Sequence, residues 1–384
     1  MTTVIERDIF VVSNSVDELG GVTSWSHQLA RLFTEHGHQV HVIGITKAEV
    51  PQQVGEHLPY PTTTLYRKHP DRIRPASKIR DKADLSRRHR LAKHRQDMQE
   101  QAAKLSAFFA AARPGAVVIV TQVWAMEWVA QADTTGLTVI GMSHESYAYS
   151  KASSRFQRVK QYYRDVDRFL TLTREDADLW IGQGMNNVSF MPNPLPFTMD
   201  FPSPRTEKTV ASIGRLADQK GIDMLLDTWG EVAPRHPDWT LRIYGAGEDE
   251  EKLKGQCTGM GLDRSVEWMG RTSDVPGALH GSSVFVQSSR GEGFPLALME
   301  AMASGVPCAA FDCAPGVREI IEDGKDGLLA APGNTHQLAD RLDTLMSRKE
   351  LRDMMGNLAR ERIQRYASDR ITARWEALFG FLDR

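Results

Sequence analysis

The sequence predicts an α/β protein of two domains, each a parallel sheet wound with helices. Three observations predict it. Short runs rich in Val and Ile alternate with longer amphipathic stretches, the pattern of βα units. At 384 residues the chain exceeds the size, roughly 250–300 residues, at which a single core stops growing. The alternation also starts twice, before and after a segment that contains four prolines.

In the first series the expected strands are Ile9 to Ser13, Val40 to Ile45, Ala116 to Val120, Thr138 to Met142, Phe169 to Leu172 and Val188 to Met191. In the second they are Thr209 to Ile213, Thr240 to Tyr244, Val266 to Met269, Val284 to Gln287, Pro307 to Phe311 and Gly327 to Ala330. Between the series lie Asn193-Pro-Leu-Pro-Phe and Phe201-Pro-Ser-Pro204, where proline favours extended backbone and forbids continued helix. The boundary is therefore expected there, giving domains 1–195 and 196–384. A last helix, Ile371 to Leu382, carries Trp375, Leu378, Phe379 and Leu382 on one face, which would suit either domain, including a return to the first.

The composition, 41% hydrophobic and 25% charged, is that of a globular chain and excludes a disordered one. No apolar run approaches the roughly 20 residues that cross a bilayer. MTTVIERDIFVVSNS has no basic leader before its apolar run and reads as a strand, so a cytoplasmic protein is expected. Three cysteines, Cys257, Cys308 and Cys313, form neither a disulfide framework nor a zinc pattern. The net charge of −2 hides one uneven segment. Arg67 to Arg95 holds twelve Lys/Arg and three His against three Asp. Such a block is either a solvated helical insertion or a contact for an anionic acceptor or the inner face of a membrane. Without interleaved aromatics it is not expected to bind nucleic acid.

Each series opens with a strand that runs through a glycine-rich turn into a helix, a geometry that offers backbone N–H groups to a phosphate. In the first the turn holds Gly20 and Gly21; in the second, IGRLADQKG, it holds Arg215 and Lys220. Arg can fork onto a phosphate and Lys can add a point charge. The stretch GEGFPLALMEAMASGVP, Gly291 to Pro307, follows the fourth strand of its series. Pro295 suits a first helical turn, with the helix running from Leu296 through Ala303. Glu292 then stays in the loop, where it can reach ligand hydroxyls. Glu300 lies one turn inside the helix, where a carboxylate can accept from a vicinal diol.

Taken together, GG, GRL-x-x-QKG, EGFPLALMEAMASGVP with its E-x7-E spacing, and GVREIIEDGKDGLL resemble the retaining, nucleotide-sugar-dependent glycosyltransferases of the GT-B fold, family 4. The likeness covers nearly the whole chain and is closest from Asn193 to Gly333. It implies two facing Rossmann-like domains, the second binding the donor and the first the acceptor. It implies that Arg215 and Lys220 hold the donor diphosphate, that Glu292 meets the donor sugar and Glu300 the ribose, and that Gly293, Phe294, Pro295 and Leu296 belong to the donor site. Gly20 and Gly21 would approach the phosphates, and His144, directly after a strand, would lie near the sugar. His144, Glu292, Arg215 and Lys220 are the catalytic candidates.

The resemblance implies no cofactor and no metal: the nucleotide sugar, expected to be a UDP-sugar, is a co-substrate. Its partner is a hydroxyl acceptor, anionic or lipid-linked, of bacterial surface polysaccharide, teichoic acid or glycolipid synthesis. A small secondary-metabolite acceptor, or an epimerase or binding protein on the same fold, are the alternatives. Attack from the leaving-group side needs no protein base, while a double displacement would need a protein nucleophile. Two motifs are read as decoys. Asp165-Val166-Asp167 mimics a metal-binding D-x-D but ends a polar helix, and Tyr244-Gly-Ala-Gly247 mimics a dinucleotide turn but leads into Glu248 to Glu251, which repel phosphate.

Overall fold

A computed structural model describes residues 5–52, 54, 55, 57–68, 70, 85–197 and 201–383. It divides into two compact units, Met1–Met191 with Thr372–Arg384, and Pro192–Ile371. The first unit holds a seven-stranded parallel sheet in the order β3-β2-β1-β4-β5-β6-β7. Its strands are Asp8–Ser13, Gln39–Thr46, Thr62–Tyr66, Val117–Val120, Thr138–Met142, Arg168–Thr171 and Val188–Phe190 for β1 to β7. The second unit holds six parallel strands in the order β10-β9-β8-β11-β12-β13. These are Thr209–Ile213, Thr240–Tyr244, Val266–Gly270, Val284–Gln287, Cys308–Phe311 and Gly327–Ala330 for β8 to β13.

The central strands are apolar without alternation because helices cover both faces of a parallel sheet. Val117–Val120, Val284–Gln287 and Cys308–Phe311 are buried at every position. In each sheet the strand order reverses once, between β1 and β4 and between β8 and β11. At such switch points the crevice outside the carboxyl ends of the strands is where open α/β sheets bind ligands.

The expected strands start within one residue of the observed ones, and one strand was not foreseen. β3 contains three threonines, two of them exposed. It forms the edge of its sheet, where one side of the strand has no neighbour to bury it. The domain junction lies at 191/192 instead of 195/196. Asn193 and Leu195 already belong to the second unit: Asn193 Nδ2 donates to Phe294 O at 3.2 Å, and the Leu195 N–H donates to Tyr366 O at 2.8 Å.

The helix Ser368–Leu382 belongs, from Thr372 onward, to the first unit. Trp375 and Phe379 lie 5.8 and 5.7 Å from the ring of Phe33. His38 Nε2 meets Glu376 Oε1 at 2.6 Å, and Arg7 pairs with Asp383.

Of the basic block, residues 69 and 71–84 lie outside the described residues. Arg67 and Lys68 follow β3 and are exposed, and the block ends in the helix Leu85–Ala110. Cys257 and Cys308 are buried, Cys313 is half-buried, and all three are free thiols. No helix among the described residues is long and apolar enough to cross a membrane. Asp167 of the D-x-D motif accepts the Val139 N–H at 2.7 Å, which ties the end of its segment to the sheet.

Candidate functional site

In the second unit the loops after β8 and β11, neighbours across the switch point, are laced together. The Arg290 N–H donates to Gln219 O at 2.8 Å, Gln219 Nε2 to Gly291 O at 2.9 Å, and Ser288 Oγ to Lys220 O at 3.1 Å. The backbone between them is tight. Gly221 takes the left-handed conformation (φ 62°), and a Cβ on it would lie 2.2 Å from Ser288 O. That pinch brings Lys220 Nζ to 2.6 Å from Glu292 Oε1, which Ser289 Oγ also reaches at 2.6 Å. Glu292 is only 9% exposed, so a carboxylate with two donors is held almost out of water, where such bonds strengthen.

Arg215 follows Gly214, on which a Cβ would lie 3.5 Å from Lys220 Cδ, and its loop has a rigid support. The Gly214 N–H donates to Tyr244 O at 3.0 Å, and the Leu216 N–H to Ala246 O at 3.1 Å. A Cβ on Gly245 would lie 1.8 Å from Gly214 O, and one on Gly247 2.2 Å from Leu216 O. The Tyr244–Gly247 turn is thus the cradle for the Arg215 loop, a role its resemblance to a dinucleotide turn had hidden. The Arg215 side chain is exposed and no described side chain pairs with its guanidinium, so the charge remains available to a ligand.

Leu296–Ala303 forms the expected helix. Pro295 sits at its N-cap in extended conformation, not in the first turn, and no side chain caps the end. The first amides there have no intrahelical partners and suit an anion. Gly293 packs so closely on the next helix that a Cβ on Gly316 would lie 1.9 Å from Gly293 O. Phe294 is buried, edge-on to Tyr366 at 5.2 Å. Its ring serves the core, and Gly293 and Leu296 remain half-buried.

Glu300 is half-buried, and burial, with no cation or donor among the described side chains beside it, pushes its carboxyl up to about 7. Raised above the ordinary 4.5, the folded carboxyl holds its proton where the unfolded one has lost it. It therefore costs nothing at low pH, costs progressively more between about 4.5 and 7, and costs its full amount above. Glu300→Gln is expected to leave the melting temperature unchanged at pH 4 and to raise it at pH 8, with the difference growing through that window. A difference constant with pH would show that the carboxyl is not desolvated.

In the first unit Gly20 and Gly21 are exposed at the N-terminus of the helix Gly21–Glu35, which no side chain caps. A Cβ on Gly20 would meet nothing within 4 Å, so the space beside it is open, and its φ of 156° is a conformation that L side chains rarely adopt, which is what calls for glycine there. Trp25 of this helix meets the His144 ring edge-on at 4.5 Å, which brings the GG turn and the loop after β5 together. His144 Nε2 is buried with no hydrogen-bond partner, and burial lowers its pKa to about 3. The imidazole is neutral at physiological pH and cannot serve as a cation. Its orphan nitrogen is the kind of atom a ligand satisfies.

Ser289, Gln219 and Trp25 were not anticipated. Ser289 carries a signal in hindsight, a short hydroxyl side chain three residues before Glu292.

The model of the family described as Glycosyl transferases group 1 matches residues 199–362, which contain Arg215, Lys220, Glu292 and Glu300. A Haemophilus influenzae protein described as an uncharacterized glycosyltransferase is 34% identical over 239 residues, 61% of this chain and 68% of that one. The chain belongs to the group 1 glycosyltransferases. A poly(ribitol-phosphate) α-N-acetylglucosaminyltransferase of Staphylococcus aureus is 32% identical to this glycosyltransferase over 46% of the chain, a match that spans only 36% of the staphylococcal protein. Among solved structures, Anabaena HepE in complex with UDP superposes with a TM-score of 0.78 at 16% identity, covering 97% of this chain and 99% of that one. An S. aureus TarM complex containing UDP superposes at 0.77 and 15% identity with the same coverage. With the two parallel sheets, these likenesses give the glycosyltransferase the GT-B fold.

Proposed function

We propose that this glycosyltransferase moves a hexose from a UDP-sugar to an acceptor hydroxyl of a bacterial surface glycan, with retention of anomeric configuration and without a metal. The observation that carries the reading is the Lys220–Glu292–Ser289 cluster beside the unpaired Arg215. Cleaving the bond from the anomeric carbon to the diphosphate leaves an oxyanion on the diphosphate and an oxocarbenium-like carbon. Arg215, Lys220 and the uncapped amides at Leu296 supply the positive charge that the oxyanion needs. Glu292, already fixed by two donors, meets the sugar and offsets the charge at carbon; Glu300 accepts from the ribose diol. Attack from the leaving-group side forms the new C–O bond as the diphosphate departs, and the acceptor's proton passes to a diphosphate oxygen. His144 acts as a neutral hydrogen-bonding partner for the sugar.

UDP in the HepE and TarM complexes supports the choice of nucleotide. The surface-glycan acceptor is supported by relatives named for poly(ribitol-phosphate), poly(glycerol-phosphate) and amylovoran synthesis. The test is incubation with UDP-, GDP- and ADP-sugars and bacterial envelope extract in EDTA, with product mass and anomeric configuration read out. Loss of turnover in EDTA, or an inverted product, would refute the corresponding part. Arg215→Ala is expected to weaken bare UDP about tenfold in calorimetry, because a charge-assisted hydrogen bond to a phosphate contributes about 1.5–3 kcal/mol; unchanged affinity contradicts its assignment.

A further inference from the structure

The helix Leu85–Ala110 runs antiparallel to the strands of its sheet and outlasts them. Near its end Phe109 packs on Phe10 in the first half of β1 (5.2 Å) and Phe108 on His41 in the first half of β2 (4.9 Å). Asp97 and Glu100 lie close enough to Tyr66, the last residue of β3, to act on its hydroxyl. The eleven residues from Ser86 to Gln96 therefore project about 16 Å, at 1.5 Å per residue, past the carboxyl edge of the sheet. Gly20, Gly21 and His144 lie at this same edge.

The exposed positions in this overhang are Ser86, Arg88, His89, Arg90, Ala92, Lys93, Arg95 and Gln96. At roughly 100° per residue, Arg88 and Arg95 fall on one flank and Arg90 and Lys93 on the opposite one. Arg67 and Lys68, exposed directly after β3, add charge at the same edge. A helix that lies on a membrane buries a face of Trp, Phe or Leu, and none is exposed here. A flat surface meets one flank at a time, while a flexible chain can pass across both.

We propose that this overhang binds a linear, phosphate-bearing polymer and leads it to the carboxyl edge of the first sheet. That this polymer is the acceptor rests on the transferase reading; the binding itself does not. The test uses the full chain without donor, with inorganic polyphosphate as probe, inorganic monophosphate as the point-charge comparison, and vesicles of equal parts phosphatidylglycerol and phosphatidylcholine. The quadruple variant Arg88→Gln, Arg90→Gln, Lys93→Gln, Arg95→Gln changes only exposed side chains to a good helix former. It is expected to bind polyphosphate about 100-fold more weakly at 0.1 M salt. Its plot of log affinity against log salt should flatten by about 3, at about 0.7 per neutralised phosphate of a flexible polyanion. UDP affinity should stay as in the parent, which separates failure here from failure of the transferase reading. A control with Lys208, Lys252, Arg264 and Arg348 changed to Gln should bind polyphosphate within twofold of the parent. The proposal is overturned if the parent's own salt slope is below about 2, or if monophosphate binds as tightly as the polymer. Equal loss in the control overturns it too, as does a quadruple variant that loses vesicle binding while keeping polyphosphate.

Discussion

Lys220→Ala is expected to lower kcat on the donor sugar by roughly 10²–10³-fold, the usual cost of removing one preorganised donor from a developing oxyanion. Two effects contribute. In the proposed reaction the departing diphosphate loses a cation, and in the structure itself Glu292, 9% exposed, loses one of its two donors and keeps only the hydroxyl of Ser289. A buried carboxylate robbed of its partner is penalised beyond the lost bond. Glu292→Gln separates the two, because it removes the charge that Lys220 faces while the cation stays in place. Residues in one network are not additive, so Lys220→Ala with Glu292→Gln should cost less than the two single changes combined. The measurement is kcat and KM for the donor in all three variants, with bare UDP affinity beside them. If Lys220→Ala stays within threefold of the parent while its melting temperature falls, Lys220 serves only to hold Glu292.

The contact between Lys220 and Glu292 shows what the sequence could and could not reveal. Each residue type was legible at its own strand end, since a Val- and Ile-rich run followed by a glycine turn marks the carboxyl edge of a buried parallel strand. That the two edges adjoin follows from strand order, with β8 beside β11, and strand order is a property of the whole sheet. The Tyr244–Gly247 turn was legible as a turn, but the reason for its glycines stayed hidden on the same ground. What demands them is the carbonyl of Gly214 and that of Leu216, each 31 residues away in the chain and invisible in a local motif. β3 was missed because hydrophobic periodicity reports burial, and an edge strand made of Thr62, Thr63 and Thr64 has little to report. Neutral His144 was out of reach too, because its protonation depends on Trp25 and the packing around it.

Trp375→Ala is expected to destabilise the first unit by about 3–5 kcal/mol, the range for deleting a buried aromatic. The amphipathic face of the last helix was legible, but its destination was not. In the fold Trp375 is fully buried against Phe33 and Phe379, and its indole nitrogen has no hydrogen-bond partner, so the loss is one of packing. The helix closes the first unit although the chain reaches it only after building the second. Amide hydrogen exchange in β1, β2 and β4 should therefore accelerate by about two to four orders of magnitude, while β8, β11 and β12 keep the parent rates. Trp229→Ala should do the reverse, because Trp229 is buried in the second unit's core and donates to Ser265 Oγ at 3.0 Å. Equal acceleration in both sheets from either change would mean that the two cores unfold as one cooperative body, and the separate stability argued for each would be lost.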